Sequence, residues 1–272
     1  MTTEIENRHD PYDIIAYADN NPKLQDTVLL GRPVVHPDKI ESFDYDQIIV
    51  TTTDMDTVIH QLTDEYGIDP NVINSTMYYY STSNSARIQA LKNVSQLVYG
   101  NAIPGSVAEL GVFQGDFSKQ INAFFPDRTL YLFDTFEGFS GRDIKRDVEI
   151  GAKGVVRQRY DYLANTNTEL VLSKMKYPEK CVIRKGYFPE TAANLEDIFA
   201  FVSLDADLYQ PMLEGLKYFY PRLSKGGFIF IHDFFADDWA GTFQAVSDYK
   251  KENSNLCYVP IGDDVSIAIV KP

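Results

Sequence analysis

The chain has 272 residues, is 44% hydrophobic and 24% charged, and carries a formal net charge of −14, the profile of a globular protein of one large or two modest domains. Nucleic-acid binding rests on neutralising phosphates with Lys and Arg, so a chain this acidic is expected to have no nucleic-acid partner. No apolar run approaches the ~20 residues that cross a bilayer, and the opening Met-Thr-Thr-Glu-Ile-Glu-Asn is no signal peptide, so a cytoplasmic protein without a membrane partner is expected.

Charge is unevenly spread. Residues 1–75 hold 4 Lys/Arg against 15 Asp/Glu, and residues 76–272 hold 21 against 24; the acidic part reads as a solvated surface. About ten polar residues, expected to be disordered, come first. Asp13 to Ala18 is a strand candidate closed by the turn signal Asp19-Asn-Asn-Pro. Leu29–Val35 and Asp46–Thr52 are two further short runs. Met55 to Tyr66 reads as a helix with Val58, Ile59, Leu62 and Tyr66 on one face. The alternation defines a small α/β appendage over 1–75. It resembles the second portion of small Rossmann-like modules attached to bacterial sugar-modifying enzymes. The opening strand and Gly-rich turn of those modules are missing, so a docking or dimerisation element is expected rather than a dinucleotide site.

The second domain, 76–272, opens with the polar-aromatic link Tyr78-Tyr-Tyr-Ser-Thr-Ser-Asn. Asn84 or Ser85 is placed to cap a helix over 86–99, with Ile88, Leu91, Val94, Leu97 and Val98 on one stripe. Pro104-Gly105 then introduces Val107-Ala-Glu-Leu-Gly-Val-Phe-Gln-Gly115, a short apolar strand, a glycine-punctuated turn and a helix opening near Asp116. Such a turn brings backbone N–H groups to a ligand at the strand's carboxyl end, which makes Glu109, Gly111 and Gly115 binding candidates. Thr129–Phe133 is a second strand ending in Asp134, where a carboxylate grips a ribose diol. Asp134 is a candidate together with Thr135 and Phe136. Glu109 and Asp134 suit a nucleoside ligand with a positive charge and no phosphate, and S-adenosylmethionine is such a ligand.

From Arg142 to about Asn165 no apolar period is visible. The stretch mixes Arg142, Lys145, Arg146, Lys153, Arg157 and Arg159 with Tyr160 and Tyr162, and is expected to be a long irregular loop. A helical period returns from Thr168 and stops at Pro178. Cys181–Lys185 is the third strand, followed by Gly186-Tyr-Phe-Pro. Ala200–Leu204 is the fourth strand, Pro211–Leu223 a helix and Phe228–Ile231 the fifth strand. A helix from Trp239 to Glu252 and strands at 256–261 and 265–270 close the chain. Cys181 and Cys257, both in apolar runs, are expected to be buried free thiols.

Two strand ends concentrate acids: Leu204-Asp205-Ala206-Asp207 and Ile231-His232-Asp233. In a parallel sheet these tips are neighbours on the ligand-binding side. Three carboxylates gathered there repel one another unless a positive group sits between them. A divalent cation answers this: oxygen ligands suit Mg²⁺, and one His is tolerated by Mn²⁺.

Five blocks, 103–115, 132–139, 185–191, 204–209 and 226–233, resemble in order the macrocin-type (TylF) O-methyltransferases, a metal-dependent branch of the class I S-adenosylmethionine-dependent methyltransferases. The likeness covers about residues 84–272. It implies a Rossmann-like seven-stranded, mostly parallel sheet and O-methylation of a sugar hydroxyl on a natural product. The appendage tilts the acceptor toward a surface-polysaccharide or nucleotide-linked sugar. By the same resemblance Asp205, His232 and Asp233 hold the metal, and Asp205 also borders the cofactor. Asp207 is the general base, His232 a second acid–base candidate, and Tyr187 and Phe188 wall the adenine. Many relatives carry Asp where this chain has His232. The family implies a small-molecule hydroxyl acceptor and a homo-oligomer. A non-catalytic S-adenosylmethionine-binding scaffold and a catechol-type small-molecule methyltransferase are the alternatives. A dinucleotide enzyme lacks its Gly-x-Gly-x-x-Gly turn.

Overall fold

The computed structural model describes residues 13–52, 55–74, 82–152 and 163–272. The chain divides into two compact units, Met1–Ser85 and Ala86–Pro272. The boundary expected after residue 75 and the link Tyr78–Ser81 lie outside the described residues.

In the first unit, β1 (Tyr17–Ala18), β2 (Val28–Leu29) and β3 (Arg32–Val35) form a sheet in the order β1-β3-β2. β1 runs parallel and β2 antiparallel to β3. Leu30 and Gly31 link β2 to β3 with φ of 47° and 79°, the left-handed pair whose twist matches that of a tight hairpin. The strand expected over 13–18 pairs only at its last two residues. Upstream, the Ile14 carbonyl accepts from the Arg32 guanidinium, a side-chain bond in place of a ladder bond. β4 (Ile48–Ile49) and β5 (Ile73–Asn74) pair in parallel. Helix α1 (Met55–His60) continues through a π turn at Gln61–Glu65. Ile40, Val50, Met55, Leu62 and Ile68 form this unit's own small core.

The second unit begins in α2 (Thr82–Gly100). Asn84 and Ser85, expected at its start, fall within the helix bounds. Leu91, Val94 and Val98 are buried, while Leu97, expected on the same stripe, is 50% exposed. Then follow β6 (Ser106–Leu110), α3 (Ser118–Phe124), β7 (Leu130–Asp134), α4 (Gly141–Ile150), α5 (Thr168–Ser173), β8 (Cys181–Lys185) and β9 (Phe199–Leu204). The chain closes with α6 (Tyr209–Arg222), β10 (Leu223–Ile231), α7 (Ala240–Glu252), β11 (Tyr258–Pro260) and β12 (Ile267–Val270). The seven strands order as β11-β12-β10-β9-β6-β7-β8. All neighbours are parallel except β10–β12 and β11–β12.

The central strands read as unbroken apolar runs because helices cover both faces. Ala108, Leu110, Phe133, Val202, Leu204 and Ile229 pack on one face with Met212, Leu216 and Phe219 of α6 and Ala245 and Val246 of α7. Val107, Leu130, Leu132, Phe201 and Phe230 pack on the other with Leu91 and Val98 of α2, Ile121 of α3 and Val171 of α5. Successive residues of a strand point to opposite faces, so one sheet feeds two cores. Among the described residues no helix is long and apolar enough to cross a membrane.

The largest departure from the sequence reading follows β7. Residues expected to be irregular form α4, capped at its start by Ser140 accepting from the Arg142 N–H and closed by Gly151 at φ 95°. The apolar period is missing because acids occupy its inward face: Asp143 and Asp147, one turn apart, are both buried. Lys153, Arg157, Arg159, Tyr160 and Tyr162 lie outside the described residues. Both cysteines are free, but Cys181 is only half-buried and Cys257 is exposed; each sits at a strand boundary rather than within the core.

Candidate active site

The carboxyl ends of the parallel strands border one cleft. Leu110 and Gly111 from β6, Phe133, Asp134 and Thr135 from β7, and Gly186 and Tyr187 from β8 line it. Asp205, Asp207 and Leu208 after β9 and Asp143 of α4 complete the wall. A non-glycine residue in left-handed conformation follows four of these strands: Phe113 after β6, Phe136 after β7, Asp207 after β9 and Asp233 after β10, with φ between 47° and 59°. Each costs about 1–2 kcal/mol relative to ordinary backbone, and such strain concentrates at functional sites because surrounding contacts hold it.

Gly111 fits its position because a Cβ there would overlap the carbonyl of Asp205. The Asp205 N–H donates to the Leu110 carbonyl at 2.8 Å, so the β6 and β9 tips touch through backbone alone. Asp134 braces the turn from the other side. Its Oδ2 accepts the N–H groups of Val112 and Phe113 at 2.7 and 2.9 Å, and its Oδ1 that of Phe136 at 2.7 Å. A carboxylate offers about four lone-pair directions, so these three bonds leave Asp134 room for one more donor. The Thr135 hydroxyl donates to the Gly138 carbonyl at 2.7 Å and closes the next turn.

Three of the expected cofactor residues do not line the cleft. Glu109 is 1% exposed, accepts a hydrogen bond from Ser118, and has its carboxyl pushed up to about 8 by burial, which keeps it protonated at neutral pH. Gly115 packs against Val171 and Met175, and Phe136 is buried in the core shared with α2 and α3. Phe188 lines the cleft yet belongs mainly to the core, stacked on Phe219 at 5.7 Å.

The acid cluster assembles across the β9 and β10 tips. His232 Nδ1 lies 3.0 Å from Asp205 Oδ1 and 3.1 Å from Asp233 Oδ2. That nitrogen is buried and makes no aligned hydrogen bond. Ligand atoms of Asp205, His232 and Asp233 all lie within 4.8 Å of one another. Once that nitrogen gives up its proton, the ring and the two flanking carboxylate oxygens make a donor set that fits a divalent ion of Mg²⁺ or Mn²⁺ type.

The sequence reading missed the cation already present. Arg87, in the first turns of α2, is 6% exposed and directs both terminal nitrogens at Asp205 Oδ2, each 3.0 Å away, while Nη2 also reaches Ser203 Oγ at 3.2 Å. Its guanidinium lies over the Phe117 ring, 3.9 Å from the centroid. Burial opposes ionisation of Asp205, but His232 and Arg87 outweigh it and hold this carboxyl well below the usual range. Burial also works against the His232 proton, yet Asp205 and Asp233 push the imidazole up to about 10. Asp207 is driven the opposite way: burial, then Asp233 and Asp205, raise its carboxyl well above the ordinary value. Tightly placed carboxylates thus divide into charged and neutral members.

α4 forms the opposite wall. The Tyr187 hydroxyl donates to Asp143 Oδ1 at 2.8 Å, and the Arg142 guanidinium lies 4.2 Å from the ring centroid of Tyr187. One turn on, Asp147 accepts the Tyr209 N–H at 3.0 and 3.1 Å, a carboxylate at the positive end of α6. Gly241 at the start of α7 makes room for it, since a Cβ there would overlap Asp147 Oδ1. The one sequence signal for this wall is the i, i+4 pair of acids, which a search for apolar residues passes over.

Comparison with known proteins places this geometry in a family. The model of the macrocin-O-methyltransferase (TylF) family matches residues 51–261, and a C2185-like N-terminal family matches residues 2–74. The chain is 28% identical over 160 residues to a demethyldecarbamoylnovobiocin O-methyltransferase of Streptomyces niveus, covering 54% of this chain and 60% of that protein. It is 26% identical over 163 residues to a mycinamicin III 3''-O-methyltransferase of Micromonospora griseorubida, covering 54% and 62%. The chain thus spans under two thirds of the length of these relatives. Among solved structures, the O-methyltransferase NovP matches with a TM-score of 0.61 and 21% identity, over 80% of this chain and 97% of that one. The calicheamicin methyltransferase CalS11 matches with a TM-score of 0.56 and 20% identity, over 85% and 96%. The fold is that of the class I Rossmann-like O-methyltransferases, and the chain belongs to the macrocin-O-methyltransferase (TylF) family.

Proposed function

We propose that the protein is an S-adenosylmethionine-dependent O-methyltransferase acting on a hydroxyl of a sugar or of a glycosylated natural product, assisted by a divalent ion on Asp205, His232 and Asp233. The observation that carries this reading is the convergence of those three ligand atoms within 4.8 Å at the end of a cleft that Asp207 also lines. Family membership and the natural-product O-methyltransferases among the relatives support it. When bound, S-adenosylmethionine supplies an electrophilic methyl group, and a divalent ion lowers the pKa of a nearby hydroxyl.

The chain's own residues do the rest. Asp134 and the tight turn at Gly111 fix the backbone that faces the nucleoside. Leu110, Phe133 and Leu208 give the cleft apolar walls that exclude water and hold the reacting groups in line. Asp207 would take the acceptor proton in its ionised form, which a bound divalent ion would favour by offsetting the charge of Asp205 and Asp233 that, on top of burial, now keeps its proton on. Its backbone carbonyl, held by the Thr242 hydroxyl at 3.1 Å, fixes its position.

The test is transfer of labelled methyl from S-adenosylmethionine to a panel of glycosides and free sugars, with and without a chelator. Asp205→Ala and Asp205→Asn are each expected to lower turnover by more than about 100-fold while S-adenosylhomocysteine binds within a few-fold of wild type by calorimetry. An active Asp205 variant would remove the metal role. Binding without turnover on any acceptor would favour a non-catalytic protein.

A further inference from the structure

The Arg87–Asp205 pair departs from the common fork, in which two guanidinium nitrogens meet two carboxylate oxygens. Here Nη1 and Nη2 both donate to Oδ2 of Asp205, each at 3.0 Å, and the buried Nε makes no hydrogen bond. Oδ1 is left to face His232 Nδ1 at 3.0 Å. The two oxygens of one side chain therefore have separate partners: Oδ2 is committed to Arg87, and Oδ1 belongs to the cluster.

Arg87 is held in that arrangement from several sides. It is buried, Nη2 also donates to Ser203 Oγ at 3.2 Å, and the guanidinium lies over the Phe117 ring, 3.9 Å from the centroid. Ser203 in turn hydrogen-bonds the buried Glu109, so the hold continues beneath the site. The consequence concerns which ion fits. With Oδ2 taken, Asp205 offers one ligand atom. Mg²⁺ accepts single carboxylate oxygens in an octahedron and keeps water at its other positions, and Mn²⁺ also suits an octahedron. Ca²⁺ takes about six to eight oxygen ligands and often both oxygens of one carboxylate. Limiting Asp205 to one oxygen penalises Ca²⁺ more than the smaller ions.

We propose that Arg87 is a positioning residue for the metal centre: by engaging Oδ2 with both terminal nitrogens it limits Asp205 to one-oxygen ligation and tunes the centre against Ca²⁺. This inference rests on the metal reading above and adds to it a residue outside the ligand set. Other influences on binding drop out when two divalent ions are compared. The charge of Arg87 repels both alike, and the proton that His232 gives up costs both the same. The imidazole favours Mn²⁺ over Ca²⁺ in every variant that keeps it. A change in the ratio of the two affinities therefore isolates the part set by how many oxygens Asp205 can offer.

The experiment titrates the full-length, chelator-stripped protein with MnCl2 and then displaces the bound ion with CaCl2. Bound Mn²⁺ is read from the loss of the free-ion electron paramagnetic resonance signal. His232→Ala, which lacks a ligand, identifies ions held elsewhere on so acidic a chain. Wild type is expected to prefer Mn²⁺, and Arg87→Met should narrow that preference by about 10-fold, the low end of the range for residues that orient metal ligands. Arg87→Lys, which keeps a charge without the paired donors, should narrow it too, a change that repulsion alone would not produce. Circular dichroism melting monitors folding, and Arg87→Lys carries the test if Arg87→Met unfolds. Equal affinity of wild type for the two ions overturns the assignment while leaving the metal reading intact. So does a folded Arg87 variant that keeps the wild-type ratio or binds neither ion. Failure of wild type to bind Mn²⁺ at this site overturns both.

Discussion

At the β9–β10 end of the cleft Asp205 faces a permanent cation, the Arg87 guanidinium 3.0 Å away, whereas at the β7–β8 end the hydrogen-bond partner of Asp143 among the described residues is the neutral hydroxyl of Tyr187, 2.8 Å away. The two acids respond in opposite directions. Asp205 is held well below the ordinary carboxylate range by His232 and Arg87 despite its burial. Asp143 is raised by burial, which the Tyr187 hydrogen bond and Arg142 only partly offset. Burial alone does not fix the state of an acid in this cleft; the charge on its nearest partner does. One end gathers several carboxylates beside the Arg87 cation, and the other pairs a buried carboxyl with a neutral hydroxyl.

The largest effect is expected where that contrast is removed. Arg87→Met leaves Asp205 with His232 as its remaining cationic neighbour and is expected to cost about 3–5 kcal/mol in urea unfolding, the range for breaking a buried ion pair from one side. Arg87→Lys keeps the charge but not the paired donors and should lose less. If Arg87→Met were as stable as wild type, Asp205 would not depend on this cation and the contrast would fail.

A smaller loss should follow at the contact between the two strand tips. Gly111→Ala places a Cβ against the Asp205 carbonyl at φ 86°, and overpacking with left-handed strain is expected to cost about 2–4 kcal/mol. Shifting that turn should also weaken S-adenosylhomocysteine binding at both ends of the cleft, whereas Arg87→Met should spare it. Matched losses of binding in the two variants would mean that the ends are not separable.

A third effect is a change in pH dependence. Glu109, beneath the cleft, has its carboxyl raised from 4.5 to about 8, chiefly by burial, with Ser118 and Arg87 pulling the other way. Between those pH values the folded protein keeps a proton that the unfolded chain has released, so the folded state binds more protons and stability falls as pH rises through that window. Glu109→Gln removes the titration. Its stability relative to wild type should increase from about pH 4.5 to about pH 8 and change little beyond; parallel profiles would show that Glu109 is ionised in the fold.

The strands of the second unit were legible because β6, β7, β9 and β10 are buried on both faces and therefore read as unbroken apolar runs. The acids and the histidine at their tips were legible too, since Asp134, Asp205, Asp207, His232 and Asp233 end those runs or lie within three residues of their ends. α4 was not: its inward face carries Asp143 and Asp147, and a period search recognises a helix by the apolar stripe it buries. Arg87 was hidden for a related reason, being a charge at the start of a helix whose legible stripe is Leu91, Val94 and Val98.

The sequence by itself determined the succession of strands and of the helices other than α4, the glycine turn at Gly111 and the identity of the acids at the strand ends. These depend on local backbone preference and on the two periodicities of regular structure. Only the tertiary structure decided which acids are charged, which residues line the cleft and what compensates the cluster. Arg87 lies 118 residues from Asp205, and Asp143 lies 44 from Tyr187. Electrostatic free energy depends on distance and burial in space, and neither is written in sequence separation.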